Sequence, residues 1–209
     1  ERGVVAPDRK WLQGLQEQCN KKGALLVLDE IQVGFGRTGH LWGFEGFGIV
    51  PDILVLGKAI GGGLPLGAFI SSRSNMLQLA ADPVLGHITT FGGHPVSCAA
   101  GLAAFEVLLE GKYIERIPAL EMLFRQKLKH PLIGQVRSAG LLIAVDFTDA
   151  ATAKKVIDKC LENGLMTDWF LFAPHCLRIA PPLTITEKQI AKACKILLRV
   201  LKGFQKNEP

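Results

Sequence analysis

Cysteine and long apolar runs are both scarce in this sequence of 209 residues. The five cysteines are scattered and never stand in CxxC spacing, so neither a structural zinc site nor a secreted disulfide framework is expected. No run approaches the roughly 20 apolar residues that a membrane span requires. These absences predict a soluble protein of a reducing cytoplasm, with no metal site and no membrane-embedded part.

Targeting signals are missing as well. The first residues, Glu1-Arg2-Gly3-Val4-Val5, have neither the layout of a signal peptide nor an initiator Met. We therefore expect a fragment, or a chain that begins inside a longer protein. The net charge of +5 comes largely from lysines on helical faces, without the interleaved aromatic residues of a nucleic-acid site, so no nucleic-acid partner is expected.

Two short apolar runs stand out, Leu25–Leu28 and Ile53–Leu56, in a chain that is 48% hydrophobic. Each is bounded by Gly, Pro or Asp, which is typical of a strand buried on both faces of a parallel sheet. The first run is followed by Asp29 and the second by Gly57 and Lys58. Because ligands of such sheets bind beyond the carboxyl ends of the strands, a carboxylate and an amine are predicted at one edge.

A carboxylate and a lysine in this arrangement suit one cofactor, pyridoxal phosphate. A pyridine nitrogen stays protonated when a carboxylate is held against it, and the protonated ring then accepts electrons from the carbon next to the imine. Asp29 supplies the carboxylate and Lys58 the covalent tether. Neighbouring residues of a strand point in opposite directions, so Glu30 is expected to face elsewhere, into a structural ion pair.

The segment Gly34–Gly39 satisfies the pattern GxGxxG and offers an alternative from another class, a dinucleotide-binding module. That fingerprint requires the last glycines to open a helix, but His40–Gly46 has no helical pattern, and Asp29–Val33 separates the strand from the loop. A phosphate-binding loop is excluded because Asp52 and Ala59 occupy positions that need Gly and Ser or Thr.

The whole chain is predicted to form two domains, residues 1–113 and residues 114–209. The boundary is placed near Ile114 because short strands with amphipathic helices begin there. In the first domain the segment Pro95–Leu109 is apolar nearly all round, which predicts a buried helix. In the second, Asp146 is expected to cap the turn into the helix that starts at Ala150. Thr186 and Gln189 have the spacing of a capping box. Trp169, Phe170 and Phe172 are assigned to the core of that domain.

Four stretches together resemble the C-terminal half of a class III (omega-amino acid) aminotransferase, with the fold-type I architecture of pyridoxal-phosphate enzymes. That architecture is an α/β fold in which a large, mostly parallel sheet domain is joined to a small C-terminal α+β domain. In order along the chain, the matching stretches are Leu25–Gly39, Gly57–Ala68, Thr89–Gly93 and Leu177–Leu183.

The resemblance implies a role for each matching position. Lys58 would hold the cofactor and shuttle the proton, and Asp29 would pair with the pyridinium nitrogen. Ile31 would pack under the ring, and Gln32 would bond its hydroxyl group. Thr90 would bind the cofactor phosphate of the neighbouring subunit, which implies a homodimer with shared active sites. Arg178 would bind a substrate carboxylate, and Glu1 falls where some members of the family keep a glutamate that masks this arginine.

The reaction implied by the resemblance is transfer of an amino group to 2-oxoglutarate from a donor such as ornithine, N-acetylornithine or 4-aminobutyrate. Aminomutases and racemases of the same family keep the same lysine and aspartate and remain open. A fragment that serves only as a dimerisation surface is a further alternative. His94 departs from the family pattern, which more often has Asn there, and is expected to be a turn residue. The N-terminal half of the family is absent, so the isolated chain is expected to be inactive.

Overall fold

A computed structural model describes residues 1–205 and divides the chain into two compact units. The N-terminal unit is Pro7–Ile114, and the C-terminal unit combines Glu1–Ala6 with the chain from Glu115 onward. The sequence-based division at residues 113 and 114 assigned residues 1–6 to the first domain. Their contacts instead place them with the C-terminal unit.

The N-terminal unit is built on a mixed sheet with strand order β1-β2-β3. Strands β1 (Val27–Asp29) and β2 (Ile53–Leu56) are parallel, and β3 (Ala68–Ser71) pairs with β2 in antiparallel direction. The α-helices are α1 (Arg9–Lys22), α2 (Arg73–Leu77) and α3 (Pro95–Glu110), and the 3-10 helices are Gly43–Phe47, Lys58–Gly61 and Gln78–Ala80. The α/β class predicted from the sequence is confirmed.

Helix α1 delivers the chain to β1 and is fixed at both ends. The Asp8 side chain accepts hydrogen bonds from the backbone N–H groups of Lys10 and Trp11. Gly23 ends the helix in the left-handed conformation that glycine adopts without strain. Leu12 on α1 is buried with Leu26, which directly precedes β1, so the helix and the strand share a small core.

Helix α3 is largely exposed in the chain as described, so the prediction that it is buried is wrong. Its buried residues are small, Ser97 and Gly101. Four of its large apolar residues are more than half exposed: Val96, Leu102, Val107 and Leu109. The physical reason is that α3 packs through its small residues on the chain after β2, which leaves its larger residues outward.

The C-terminal unit is built on an antiparallel sheet with strand order β4-β5-β7-β6. Its strands are β4 (Val136–Ala139), β5 (Leu142–Asp146), β6 (Asp168–Phe170) and β7 (Ala173–Ile179). Its helices are α4 (Tyr113–Lys127), inside which the boundary between the units falls, α5 (Ala150–Glu162) and α6 (Glu187–Gln205). The predicted capping box at α6 is confirmed, because Thr186 and Gln189 exchange hydrogen bonds between side chain and backbone.

The two faces of this sheet are covered differently. Alternate strand residues, among them Ile143, Val145 and Leu177, belong to the main core with buried residues of α4, α5 and α6. The residues between them, Ala144 and Cys176, form a second cluster with Phe170 and Ala173, against which Val4 packs. Residues 1–6 therefore contact the face of the sheet that the main core does not use.

Two predicted core residues lie elsewhere. Phe170 is buried as expected, whereas Trp169 and Phe172 are exposed at 47% and 71%, so that prediction is wrong for both. Trp169 alternates with its buried neighbour Phe170 along β6, and Phe172 follows in the turn to β7.

Among the described residues, none of the helices combines the length and the apolar character of a membrane span.

Candidate active site

Asp29 is the last residue of β1 and lies beside Val55 of β2 in the parallel register. Its Oδ1 accepts a hydrogen bond of 2.9 Å from the backbone N–H of Ile31, which turns the chain at the end of the strand. The side chain is exposed at the carboxyl end of the sheet. Parallel pairing thus places the Asp29 carboxylate at the edge where β2 also ends.

Lys58 follows β2 after a single glycine and opens a 3-10 helix. Its φ of 45° lies in the left-handed region, which is uncommon for a residue with a side chain. Gly57 before it is buried, and a Cβ there would stand 3.2 Å from Ile31 Cγ2. The close contact of Ile31 with Gly57 joins the turn after Asp29 to the backbone that presents Lys58.

Helix α3 supports the segment after Lys58 from behind through two glycine contacts. A Cβ on Gly101 of α3 would lie 2.2 Å from the carbonyl oxygen of Ile60. A Cβ on Gly62 would lie 2.3 Å from the carbonyl oxygen of Ala100. Neither approach leaves space for a side chain. The backbone of α3 therefore fixes the 3-10 helix on which Lys58 stands.

Glu30 turns away from Asp29 into the protein, as predicted, but its partners differ from the prediction. Its carboxylate accepts hydrogen bonds from the backbone N–H groups of Gly43 at 2.8 Å and Phe44 at 2.9 Å. Burial raises the pKa of Glu30, and the two backbone hydrogen bonds oppose this shift. Glu30 therefore binds the first backbone N–H groups of the 3-10 helix Gly43–Phe47, and the predicted ion pair is not what holds it.

The remaining predicted residues of this unit lie in turns. Gln32 is half-buried in the turns after Ile31, and Thr90 is exposed in the turn before α3. The glycine pattern Gly34–Gly39 also lies in turns, and the next regular element is the 3-10 helix Gly43–Phe47. An α-helix that would bind a pyrophosphate at its N-terminus does not follow this loop.

Arg178 and Glu1 are brought together in the C-terminal unit although 177 positions separate them. Arg178 lies on β7, and its Nη1 donates to Glu1 Oε1 at 2.9 Å. Both side chains are partly exposed, at 24% and 28%. The residue expected to bind a carboxylate therefore already holds one in this chain.

Two further residues contact Arg178 that the sequence did not suggest. Asp168 is its cross-strand neighbour on β6, and Arg178 Nη2 donates to Asp168 Oδ2. The ring of Phe170 lies 5.6 Å from the guanidinium carbon, within the range of a cation–π contact. The sequence pattern that could have revealed them is the spacing of Asp168 and Phe170, two positions apart, which places both on one face of β6. This strand was not predicted from the sequence.

The turn between β6 and β7 holds Glu1 in place. The backbone N–H of Leu171 donates to Glu1 Oε2 at 2.9 Å, and the N–H of Phe172 donates to the Glu1 carbonyl oxygen at 2.9 Å. One carboxylate oxygen of Glu1 thus faces Arg178 while the other faces the backbone. Movement of the Glu1 carboxylate away from this position would break its hydrogen bonds with both Arg178 and Leu171.

A second ion pair lies on the same face of the sheet, and it corrects the role predicted for Asp146. The Asp146 carboxylate does not cap α5, where Asp149 accepts from the N–H of Thr152 instead. Asp146 binds Arg137 through both guanidinium Nη atoms. These contacts raise the pKa of Arg137. The thiol of Cys176 also donates to Asp146 Oδ1 at 3.0 Å.

Asp146, His175 and Cys176 carry potential metal ligands within 4.8 Å of one another. The guanidinium of Arg137 already neutralises the Asp146 carboxylate. Burial raises the pKa of Cys176 to about 11, which keeps the sulfur protonated at neutral pH. The group is therefore organised around a guanidinium cation.

Comparison with known proteins places these residues in a family. The model of the family "Aminotransferase class-III" matches residues 1–201. The chain belongs to the class-III aminotransferases. The acetylornithine aminotransferase of Caldanaerobacter subterraneus subsp. tengcongensis is 34% identical over 96% of this chain and 51% of its own length. The putrescine aminotransferase of Pectobacterium atrosepticum is 37% identical over 100% of this chain and 46% of its own length.

Solved structures of class-III aminotransferases share the fold. The ornithine aminotransferase of Toxoplasma gondii superposes with a TM-score of 0.86 at 32% identity, over 98% of this chain and 49% of that one. That structure is described as having partial occupancy of PLP at its active site. This aminotransferase chain spans about half the length of the curated relatives it matches. The resemblance to this family and its fold, predicted from the four stretches, is confirmed.

Proposed function

We propose that this chain is the part of a class-III aminotransferase that carries the catalytic lysine and the arginine for the substrate carboxylate. The reaction moves an amino group from an omega-amino donor to 2-oxoglutarate. The carbon that loses the amino group becomes a carbonyl, and the acceptor is reduced to glutamate. The observation that supports this most is the placement of Asp29 and Lys58 at the carboxyl ends of two parallel strands in a family of transaminases.

The residues at this edge suit pyridoxal phosphate. Asp29 offers an exposed carboxylate, Lys58 an exposed amine, and Ile31 an apolar side chain packed on Gly57 beside them. A carboxylate stabilises a protonated ring nitrogen, and a lysine forms an imine with an aldehyde. When bound, the cofactor supplies an electron-accepting ring next to the carbon that bears the amino group.

Each residue then has a defined task. Asp29, oriented by the N–H of Ile31, pairs with the pyridinium nitrogen. Ile31 packs on the ring, and Gln32 bonds its hydroxyl group. Lys58 tethers the cofactor and moves a proton with its Nζ atom, while α3 holds the backbone beneath it. The unusual φ of Lys58 agrees with the strain found at residues held in place for catalysis.

Arg178 and Glu1 select between the two substrates. A carboxylate of 2-oxoglutarate or glutamate binds Arg178 through charge-assisted hydrogen bonds, which requires Glu1 to leave. With Glu1 in place the positive charge of Arg178 is neutralised, and a donor that presents an amine without a carboxylate at this point is accepted. The ion pair at 2.9 Å supports this masking role.

Thr90 is assigned to the cofactor phosphate of a neighbouring subunit, so the active unit is a homodimer with shared sites. Its exposed position in the turn before α3 is compatible with that task. A cytoplasmic location is expected for such an enzyme. Relatives that act on acetylornithine, putrescine and ornithine are all similar to this chain, so the donor is proposed only as a class.

The test measures where the cofactor is attached. The protein is expressed with whatever sequence precedes this chain in its gene, incubated with pyridoxal phosphate and treated with borohydride. Peptide mass spectrometry is expected to find the reduced cofactor on Lys58, and Lys58→Ala to abolish both this adduct and the visible absorbance of the bound cofactor. Lys10→Ala, on the exposed face of α1, is the matched control. An adduct that persists in Lys58→Ala contradicts the assignment.

A non-catalytic dinucleotide-binding module makes the opposite prediction. Thermal unfolding of the same protein is followed with pyridoxal phosphate and with NAD or NADP, because a ligand that binds the folded state raises the unfolding temperature. Protection by pyridoxal phosphate alone supports the transaminase. Protection by a dinucleotide alone supports the module.

A further inference from the structure

The segment Glu1–Val4, which carries the masking glutamate, is fastened to the sheet at Gly3. Gly3 is buried with a φ of 82°, and a Cβ on it would lie 2.6 Å from Arg137 Nη2 and 3.1 Å from Cys176 Sγ. Val4 also has a positive φ, 59°, which is rare for a β-branched residue. Glycine adopts a positive φ freely, whereas Val4 keeps one only where its surroundings hold it.

Arg137 makes a hydrogen bond that fixes the backbone of Gly3. Its Nε donates to the Gly3 carbonyl oxygen at 2.7 Å. Its other two nitrogens are engaged as well, Nη1 with Asp146 and Gln135 and Nη2 with Asp146 and Cys176. All three nitrogens of this guanidinium thus bind groups of the chain itself. Arg137 therefore holds the Gly3 backbone while it is ion-paired with Asp146.

The distance along the chain links this hold to the mask. Glu1 lies two residues before Gly3, a span of roughly 7 Å at most. Because Gly3 is fixed, the position of Glu1 is confined to the neighbourhood of Arg178. We propose that Arg137 is a positioning residue for the mask: by holding the Gly3 carbonyl it keeps Glu1 on Arg178 and so tunes the choice between carboxylate substrates and omega-amines. This proposal rests on the masking role given to Glu1 above.

The test uses glutarate, a dicarboxylate that does not react, as the probe of Arg178. Its affinity is measured by calorimetry on the cofactor-loaded protein, expressed with any sequence that precedes this chain in its gene. Arg137→Lys keeps a charge beside Asp146 but removes the planar fork that also reaches Gly3. We expect it to loosen Glu1 and to tighten glutarate binding about fivefold, the size of a partly exposed ion pair. Gly3→Ala attacks the same contact from the other side and is expected to act alike.

A matched control separates this effect from general damage. Arg125→Lys changes an arginine of the same unit that donates to Ser138 Oγ at 2.8 Å. It is expected to leave glutarate affinity unchanged. Thermal unfolding of each variant verifies that the fold is kept.

The decisive measurement is made in the background of Glu1→Gln. Removal of the mask alone is expected to tighten glutarate binding, and Arg137→Lys added to it is expected to change nothing further, because coupled residues are not additive. An equal effect of Arg137→Lys with and without Glu1 overturns the proposal, as does no effect in either background. If Glu1→Gln itself has no effect, the mask fails and this inference fails with it. The covalent attachment at Lys58 is an independent readout of the transaminase assignment.

Discussion

Arg178 donates to Glu1 at 2.9 Å across 177 positions of the chain, and both side chains are partly exposed to solvent. The pair joins the first residue of the chain to β7, and Asp168 takes the other Nη atom of the same guanidinium. Two carboxylates thus share one cation. Under the role proposed for Arg178, a substrate carboxylate would compete with these two groups, and its affinity would report how well the protein holds them.

Arg178→Lys is expected to raise the KM for 2-oxoglutarate about 10- to 100-fold, with a smaller effect on kcat. The lysine keeps the charge but loses the planar fork, and hydrogen bonds to charged groups contribute about 1.5–3 kcal/mol. Steady-state kinetics with the acceptor varied measures this change. Arg116→Lys is the control, because Arg116 is exposed in the same unit and donates to the backbone carbonyl oxygen of Ile185. Equal KM values for Arg178→Lys and the control contradict the assignment of Arg178.

Gly101→Ala is expected to destabilise the N-terminal unit by about 1–3 kcal/mol, because its Cβ would collide with the carbonyl oxygen of Ile60. Gly14→Ala is the matched control. It also lies inside a helix of this unit, but a Cβ there meets nothing within 4 Å. The control is expected to gain about 0.5–1 kcal/mol from helix propensity alone. Urea unfolding measures both, and a gain in stability for Gly101→Ala refutes the close packing of α3.

Glu30→Gln is expected to cost about 1.5–3 kcal/mol at neutral pH. The amide has one acceptor oxygen, whereas the carboxylate accepts from both Gly43 and Phe44, so one backbone N–H would face a donor. Glu106→Gln on the exposed surface of α3 is expected to change stability by less than about 0.5 kcal/mol. Chemical unfolding of the three proteins tests this, and equal stability for both variants rules out the buried role of Glu30.

The same residue predicts a pH dependence. Burial raises the pKa of Glu30 above its ordinary value of 4.5. Between the unfolded and the folded pKa the folded state binds more protons, so the contribution of Glu30 to stability falls as the pH rises through this window. The amide side chain in the Glu30→Gln variant does not titrate. The free energy of unfolding of this variant is therefore expected to vary less with pH in this window than that of the parent protein. A slope as steep as that of the parent protein shows that another group is responsible.

The sequence allowed prediction of residues whose role depends on local pattern. The placement of Asp29 and Lys58 at one edge could be predicted because each follows a short apolar run, and parallel pairing of those runs brings their ends together. The capping box of α6 could be predicted because Thr186 and Gln189 are only three positions apart. Patterns of this range are visible without tertiary structure.

Residues whose role depends on distant partners were missed or misjudged. Strand β6 has only three residues and begins with Asp168, which lowers its β propensity, and its pairing with β7 stabilises it. Asp146 was predicted to cap the turn into α5 because Ala150 follows closely. In the structure its carboxylate binds Arg137 on the neighbouring strand. Helix α3 was predicted to be buried from composition alone, but its contacts run through small residues. Cross-strand partners and helix orientation become visible only in three dimensions.

The membership of Glu1–Ala6 in the C-terminal unit makes that unit discontinuous in sequence. A fragment that starts at Glu115 keeps each described helix and strand from β4 onward. It lacks the cover that Val4 gives to Phe170 and Cys176, and it lacks Gly3 and Glu1, which bind Arg137 and Arg178. Deletion or exchange of this unit as one contiguous block would therefore transfer the arginine without its mask. In engineered hybrids of such proteins, substrate preference would then be inherited from two separate places in the gene.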